Sequence, residues 1–338
     1  MSRCACHGPF LPASPTLRRV RRHLSRYVAV AYAAAVLVPL PHRIAAPFLP
    51  CLLALIMFSA GLQVPVRELT HLLRRPRALL AGLAVHLTAP LLIVPAVAWA
   101  LHHSPDTDGG SGVTAAVILT VAMPVAAGAT VWTGRGNGDQ PTMVGLVLLS
   151  TLLSPLTVPL TVAALAPLLS GTYAATLTAV AHDTGSGLAL TGVLLPCAAG
   201  IAIRLLLPER PLARVRGVVL PTALVGSLVL TYANAGGAIG PFLARPRFLL
   251  LGAALAVAAT VCAVSFALGR ITARVLRLDR PAGASVTLAC GMNNSSASAV
   301  LVSAALPDRP HVLLPVLAYG MLQKLAANRV VTRAIRAS

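Results

Sequence analysis

A polar run, Gly291-Met292-Asn293-Asn294-Ser295-Ser296, lies inside an otherwise apolar stretch, 282–306. Its amides and hydroxyls can hydrogen-bond a solute or an opposite helix. At mid-membrane depth such a run is costly unless it lines a cavity or a binding site. Small and polar residues also join membrane helices, so a helix–helix contact is the alternative interpretation.

A second interruption is predicted in the apolar stretch 112–134, at Pro124 and Gly128. Pro124 removes a backbone donor and clashes with the preceding turn, and Gly128 loosens the helix further. Half-helices that start at such breaks carry partial positive charge and free N–H groups at their N-termini, which suits an anion. The candidate substrate- or ion-binding residues at the two breaks are Pro124, Gly128, Thr130, Thr133, Gly291, Asn293, Asn294, Ser295 and Ser296.

Two ionisable side chains lie within apolar stretches. Lys324, the only lysine, follows Gln323 midway along the last stretch, and no Asp or Glu lies inside any stretch to pair with it. Its ammonium could bind an anionic substrate or, by losing its proton, couple transport to protons. Snorkelling to the cytoplasmic interface is the alternative. For His86, a helix contact and a cavity-lining or pH-sensitive role both fit.

The composition is that of an integral membrane protein, because hydrophobic residues make up 57% and charged residues 10% of the 338 residues. The net charge of +19 would suggest nucleic acid for a soluble protein. Here the basic residues lie at the ends of apolar stretches, where they indicate topology. Cys4, Cys6 and His7 could hold a metal, but a short terminal cluster favours a plain tail. No metal and no cofactor is predicted.

Ten apolar segments reach or approach the ~20 residues that a membrane-spanning helix needs. They are 25–40, 44–64, 77–101, 112–134, 142–169, 187–207, 217–240, 246–269, 282–306 and 311–333. With ten spans, both termini lie on one side, and most of the arginines fall on that side. The asymmetry predicts a multi-pass protein of the cell membrane with both termini cytoplasmic.

The spans divide into two halves that enter the membrane from opposite sides, which makes an inverted repeat. The prediction is an Arg-rich cytoplasmic tail over 1–24, a first five-helix repeat over 25–169, an external loop over 170–186 and a second five-helix repeat over 187–333. The interrupted spans are the fourth of each half, spans 4 and 9. Broken helices at matching positions indicate a transporter site near the bilayer midplane.

These residues resemble a known family. The run from Gly291 to Ser296 looks like the Gly-x-Gln-Asn-Ser motif of the bile acid:sodium symporter family. Residues 124–155 are similar to its fourth and fifth spans, and Phe58-Ser59-Ala60-Gly61-Leu62 to its second-span Phe-x-x-Gly-Leu. The likeness covers 25–333. It implies an all-α membrane fold with a core domain, in which broken helices 4 and 9 cross, and a panel domain. It also implies organic-anion substrates such as bile acids, pantothenate-like acids and keto acids.

The sequence departs from this family at the sodium ligands. Ala289 stands where the family has a carboxylate, and Ala129-Thr130 where it has a Ser-Asn pair. Met143 and Val147 align with hydroxyl ligands of span 5. His86 aligns with a family Gln, and Asn293 with the Gln of the motif. Sodium coupling of the family type is therefore not expected, and proton coupling or uniport stays open.

The prediction is a secondary transporter that moves a small organic anion by alternating access within the lipid bilayer. An enzyme is not predicted, because no His/Asp/Glu cluster lies in the membrane. No nucleotide-binding motif indicates ATP-driven pumping. A non-transporting sensor or scaffold of the same fold is the alternative, since the coupling residues are lost.

Overall fold

The computed structural model describes residues 24–38, 48–63, 76–102, 110–183, 189–244 and 248–336. Over these ranges the regular structure is helical, apart from one isolated antiparallel bridge between Val125 and Asn293. The predicted tail, except Leu24, and its Cys4, Cys6 and His7 lie outside the described residues. So do several loop residues on which the predicted orientation depends: Arg43, Arg67, Arg74, Arg75, Asp106, Asp108, Arg245 and Arg247.

The described part of the first half of the chain forms helices α1 to α7. They are α1 (Leu24–Leu37), α2 (Leu49–Leu62), α3 (Pro76–Leu101), α4 (Ser111–Val121), α5 (Ala129–Arg135), α6 (Gln140–Leu165) and α7 (Gly171–Asp183). Internal prolines are present in α3 and α6, at Pro90, Pro95, Pro155 and Pro159. Membrane helices tolerate them because neighbouring groups and local backbone adjustments satisfy the carbonyls that a proline frees.

The second half follows a short π-helical turn, Ala189–Leu194. Its helices are α8 (Leu195–Leu206), α9 (Glu209–Ala244), α10 (Phe248–Val275), α11 (Arg280–Gly291), α12 (Ser295–Ala305) and α13 (Leu313–Arg336). Every predicted span therefore has a helical counterpart in the described residues, and spans 4 and 9 are each split into two helices.

Four of the described helices are long and apolar enough to cross a membrane. They are α3, α6 with the 3₁₀ turn that follows it (Gln140–Leu168), α9 and α10. Shorter apolar helices include α2, α4, Thr191–Leu206 and α12. These features make the chain a multi-pass membrane protein, while the count of ten spans stays a prediction.

Two connecting segments differ from the prediction. Most of the segment expected to be a loop, 170–186, is helical: α7 covers Gly171–Asp183 and buries Tyr173, Leu177 and Ala181. Their spacing of four residues places them on one face of a helix. The helix of span 7, which was predicted from 217, begins at Glu209, so Arg210, Arg214 and Arg216 lie in its first turns and not in a connecting loop. One of them, Arg216, donates to the carbonyl of Leu62 at 3.2 and 2.7 Å and caps the C-terminus of α2.

Helices α1, α2, α8 and α9 pack mainly against one another. A Cβ atom at Gly61 would collide with the carbonyl of Cys197, and one at Gly200 with the carbonyl of Phe58. The backbones of α2 and α8 are therefore in direct contact. This contact explains the glycine at position 61, in the sequence Phe58-Ser59-Ala60-Gly61-Leu62.

A second group of helices surrounds α10, which packs against α3, α11 and α13. Gly291, the last residue of α11, lies against the aromatic ring of Phe266 on α10, and no Cβ would fit there. The end of α11 is thus fixed against α10, which positions the second interruption.

Candidate functional site at the crossing of two interrupted helices

The two interruptions meet and share backbone hydrogen bonds. The Ala126 N–H donates to the Met292 carbonyl at 2.7 Å, and the Asn294 N–H donates to the Pro124 carbonyl at 2.9 Å. These bonds form the antiparallel bridge between Val125 and Asn293. We call this contact, residues 124–126 with 292–294, the crossover. Each interruption thus satisfies polar backbone groups that the other leaves without helical partners.

A serine on a third helix completes the first interruption. Val125 is buried, and its N–H donates to Ser150 Oγ on α6 at 3.1 Å. The Ser150 hydroxyl in turn donates to the Val147 carbonyl at 3.2 Å. The sequence comparison singled out Met143 and Val147 in this helix and did not identify Ser150 as a partner of the break.

The helix after the first interruption begins with a tight turn. The N–H groups of Ala129, Thr130 and Val131 donate to carbonyls three residues earlier, at 2.9, 3.3 and 3.1 Å. The Thr130 hydroxyl donates to the Ala127 carbonyl at 2.8 Å, and Gln140 Nε2 donates to the Thr130 carbonyl at 2.9 Å. The expectation of free N–H groups at this half-helix is wrong for these three residues, because a 3₁₀-type turn satisfies them.

The helix after the second interruption is capped by a side chain. Asn294 Oδ1 accepts from the Ala297 N–H at 3.2 Å, and its Nδ2 lies 3.7 Å from Met57 Sδ. The Ser298 N–H donates to the Asn294 carbonyl at 3.0 Å. Free N–H groups are therefore not available at Ala297 and Ser298 either, because Asn294 acts as an N-cap. On the other side of the break, the Tyr319 hydroxyl donates to the Gly291 carbonyl at 3.0 Å.

Two carboxamide oxygens beside the crossover have no donor among the described residues: Asn293 Oδ1 and Gln323 Oε1. Both side chains are buried, with exposed fractions of 3% and 2%. Gln323 Nε2 donates to Ser295 Oγ at 3.1 Å, which fixes the amide orientation and leaves the serine proton available for another acceptor. Ser295 and Ser296 are half-buried. A buried acceptor without a donor is costly, so these oxygens mark a place where a donor can bind.

The other predicted residues lie at different distances from the crossover. His86 on α3 is buried and hydrogen-bonds the backbone of Met123, just before Pro124. Thr133 is fully buried in α5, and its hydroxyl donates to the Ala129 carbonyl at 3.0 Å. Gly128 is exposed, with open space around it. Lys324 is half-buried on α13, one residue after Gln323.

The positions aligned with sodium ligands are mostly apolar in the structure. Ala289 and Met143 are both fully buried, and Ala129 has no exposed surface. The Thr130 hydroxyl already donates to a backbone carbonyl at 2.8 Å. Hard cations are bound by oxygen ligands, so these residues do not fit a sodium site of the family type.

A small cavity lies between α4, α10 and α13. It has a volume of about 10 Å³ and is lined by Val117, Thr120, Ala258, Val261, Pro315 and Tyr319. That is room for about one water molecule. The cavity is too small for an organic anion, so in this conformation it offers no cargo site.

The sequence of this chain matches a known family of proteins. Residues 50–245, more than half of the chain, match the model of the Sodium Bile acid symporter family. The chain is also 24% identical over 260 residues to the "Uncharacterized sodium-dependent transporter YocS" of Bacillus subtilis (strain 168), which covers 76% of this chain and 74% of that protein. The chain belongs to the sodium bile acid symporter family of membrane transporters.

Proposed function

We propose that this protein is a secondary active transporter that moves a small organic anion across the cell membrane by alternating access. Ten spans in two inverted repeats, with both termini cytoplasmic, are the topology that this proposal assumes. The observation that carries it is the crossover, where the interrupted helices are hydrogen-bonded to each other at 2.7 and 2.9 Å. Two interrupted helices that meet are the arrangement in which transporters bind their cargo.

The polar groups left unused around the crossover support a binding role. The hydroxyls of Ser295 and Ser296 are half-buried, and the Ser295 proton has no acceptor among the described hydrogen bonds. Such a proton can bind an anion. Asn293 and Gln323 add two amides to this region, and the half-buried Lys324 follows Gln323 on α13. Most helix N–H groups there are occupied, so we assign recognition of the anion to these side chains.

We propose further that transport does not use sodium at the family's positions. The Bacillus subtilis relative is named a sodium-dependent transporter. In this chain, however, buried Ala289 and Met143 provide no oxygen ligand from their side chains where the family resemblance expects them. Proton coupling and uniport are the remaining modes.

Counterflow into proteoliposomes tests the proposal. Vesicles with the purified protein are loaded with unlabelled pyruvate, pantothenate or taurocholate, and uptake of the labelled acid is followed. We expect at least one acid to accumulate transiently, with the same initial rate when sodium is replaced by choline. Protein-free vesicles and unrelated external solutes are the controls.

Two results would contradict the proposal in different ways. Counterflow that requires sodium would show that a cation site exists despite the apolar residues. Specific binding of an acid without counterflow would favour the second candidate, a sensor or scaffold of the same fold. The cavity between α4, α10 and α13, whose volume of about 10 Å³ is too small for an organic anion, is the observation that favours that candidate.

A further inference from the structure

Lys324 is the only lysine of the chain and lies in the middle of α13. The positions one turn before and one turn after it on the same face, Gly320 and Ala327, are buried. The acidic residues of the described part all lie at or beyond helix ends: Asp139, Asp183, Glu209, Asp279 and Asp308. A charged group on this partly buried face therefore has no carboxylate partner among the described residues.

Helix geometry directs Lys324 towards the crossover. Side chains in an α-helix point back towards the N-terminus and cover the turn that precedes their own Cα. For Lys324 that turn contains Gly320, which has no side chain to obstruct the lysine stem. Gly320 itself lies against Ser295, because a Cβ atom there would be 2.9 Å from Ser295 Oγ. The preferred path of the lysine stem thus leads to the first residue of α12.

The groups around that point complement an ammonium. Gln323 Oε1 and Asn293 Oδ1 are buried acceptors without donors among the described residues. Snorkelling would require the side chain to run towards the C-terminal end of α13, against its preferred direction. The two amide oxygens and the contact of Gly320 with Ser295 are independent observations that favour the crossover.

We propose that Lys324 is the resident counter-charge of the crossover and binds the carboxylate of the cargo beside Ser295. The proposal rests on the transport of organic anions proposed above and names the residue that selects for them. The lysine supplies a fixed positive charge in a protein whose sodium-ligand positions are apolar.

Because the chain has one lysine, amine chemistry tests this directly. The full-length protein is treated with an acetylating N-hydroxysuccinimide ester, and the acetylation rate of Lys324 is measured by peptide mass spectrometry. Pyruvate, pantothenate and taurocholate are each tested at saturating concentration, and the N-terminal amine is the internal control. We expect at least one acid to slow acetylation of Lys324 about tenfold, as binding near saturation implies, while the control is unchanged.

Each outcome decides the question. A rate that no acid changes overturns the assignment, and so does a lysine that does not react even without acid. Protection of Lys324 without counterflow would contradict only the proposed transport. Counterflow without protection would contradict only the role of Lys324.

Variants provide a second measurement. Lys324→Met is expected to raise the half-saturating concentration of the acid about 10- to 100-fold, because it removes a charge-assisted bond to the anion. Lys324→Arg, which keeps the charge, is expected to stay within about threefold. Arg329→Met removes an exposed cation from the same helix and serves as the matched control. Equal effects in Lys324→Met and Arg329→Met would overturn the proposal.

Discussion

The interruption between α4 and α5 covers 122–128, whereas the one between α11 and α12 covers only 292–294. The longer one ends at an exposed Gly128, and its next helix begins without a side-chain cap. The shorter one is buried throughout and is closed by the Asn294 side chain. The first therefore depends on backbone turns and on Ser150 of α6, and the second on the Asn294 cap and on the Tyr319 hydroxyl of α13.

This difference indicates which interruption can change shape. A segment with open space around Gly128 can alter its backbone at little cost, whereas Gly291 is held against the ring of Phe266. We expect the first interruption to be the adaptable one and the second to be the fixed one during transport. Matched substitutions in the two interruptions test this contrast.

The largest effect is expected from the two glycines. Gly291→Ala should lower the free energy of unfolding by about 2–3 kcal/mol, because the new Cβ collides with Phe266 in a packed interior. Gly128 has φ −61° and ψ −19°, so Gly128→Ala fits the backbone and should be neutral or stabilising by up to about 1 kcal/mol. Thermal unfolding in detergent checks both. A tolerated Gly291→Ala would show that the second interruption is not fixed.

The next effect concerns the serine that supports the first interruption. Ser150→Ala leaves the buried Val125 N–H without its acceptor and should cost about 1–3 kcal/mol. The matched control is Ser154→Ala on the same helix, where the hydroxyl donates only to the Thr151 carbonyl at 2.7 Å. There we expect a change of about 0.5 kcal/mol or less. Similar unfolding midpoints for the two variants would argue against a structural role for Ser150.

A smaller effect is expected from the cap of the second interruption. Asn294→Ala should destabilise the protein by about 1 kcal/mol, because α12 loses its N-cap. Asn294→Ser keeps a capping oxygen and should recover most of that loss. If Asn294→Ser is as unstable as Asn294→Ala, the contact of the amide with Met57 matters more than the cap.

Parts of this arrangement could be predicted from the sequence, because they depend on neighbouring residues. Pro124, Gly128 and the polar run from Gly291 interrupt apolar stretches visibly, and the pairing of spans 4 and 9 followed from their positions. The partners of the breaks could not be predicted in the same way. Ser150 and Tyr319 lie 25 and 28 residues away from the groups they bind, and only the packing of α6 and α13 brings them there.

The differences from prediction have similar physical reasons. The start of α9 at Glu209 was not predicted, because the arginines near it suggest a loop. The same helix continues into an apolar segment that is long enough to cross a membrane. The N-termini of α5 and α12 were expected to offer free donors. The N–H groups of Ala129, Thr130 and Val131 are instead satisfied by a tight turn, and those of Ala297 and Ser298 by Asn294, which are local details of backbone geometry.

Two serines of α12 show whether the cargo binds at the crossover. Ser295 directly follows the crossover, while Ser303 is a buried hydroxyl without a partner among the described residues, about 12 Å further along the helix. The measurement is the half-saturating acid concentration for counterflow in Ser295→Ala and Ser303→Ala. We predict an increase of about tenfold for Ser295→Ala, from the loss of one hydrogen bond to an anion, and no change for Ser303→Ala. Equal values in the two variants would contradict the claim.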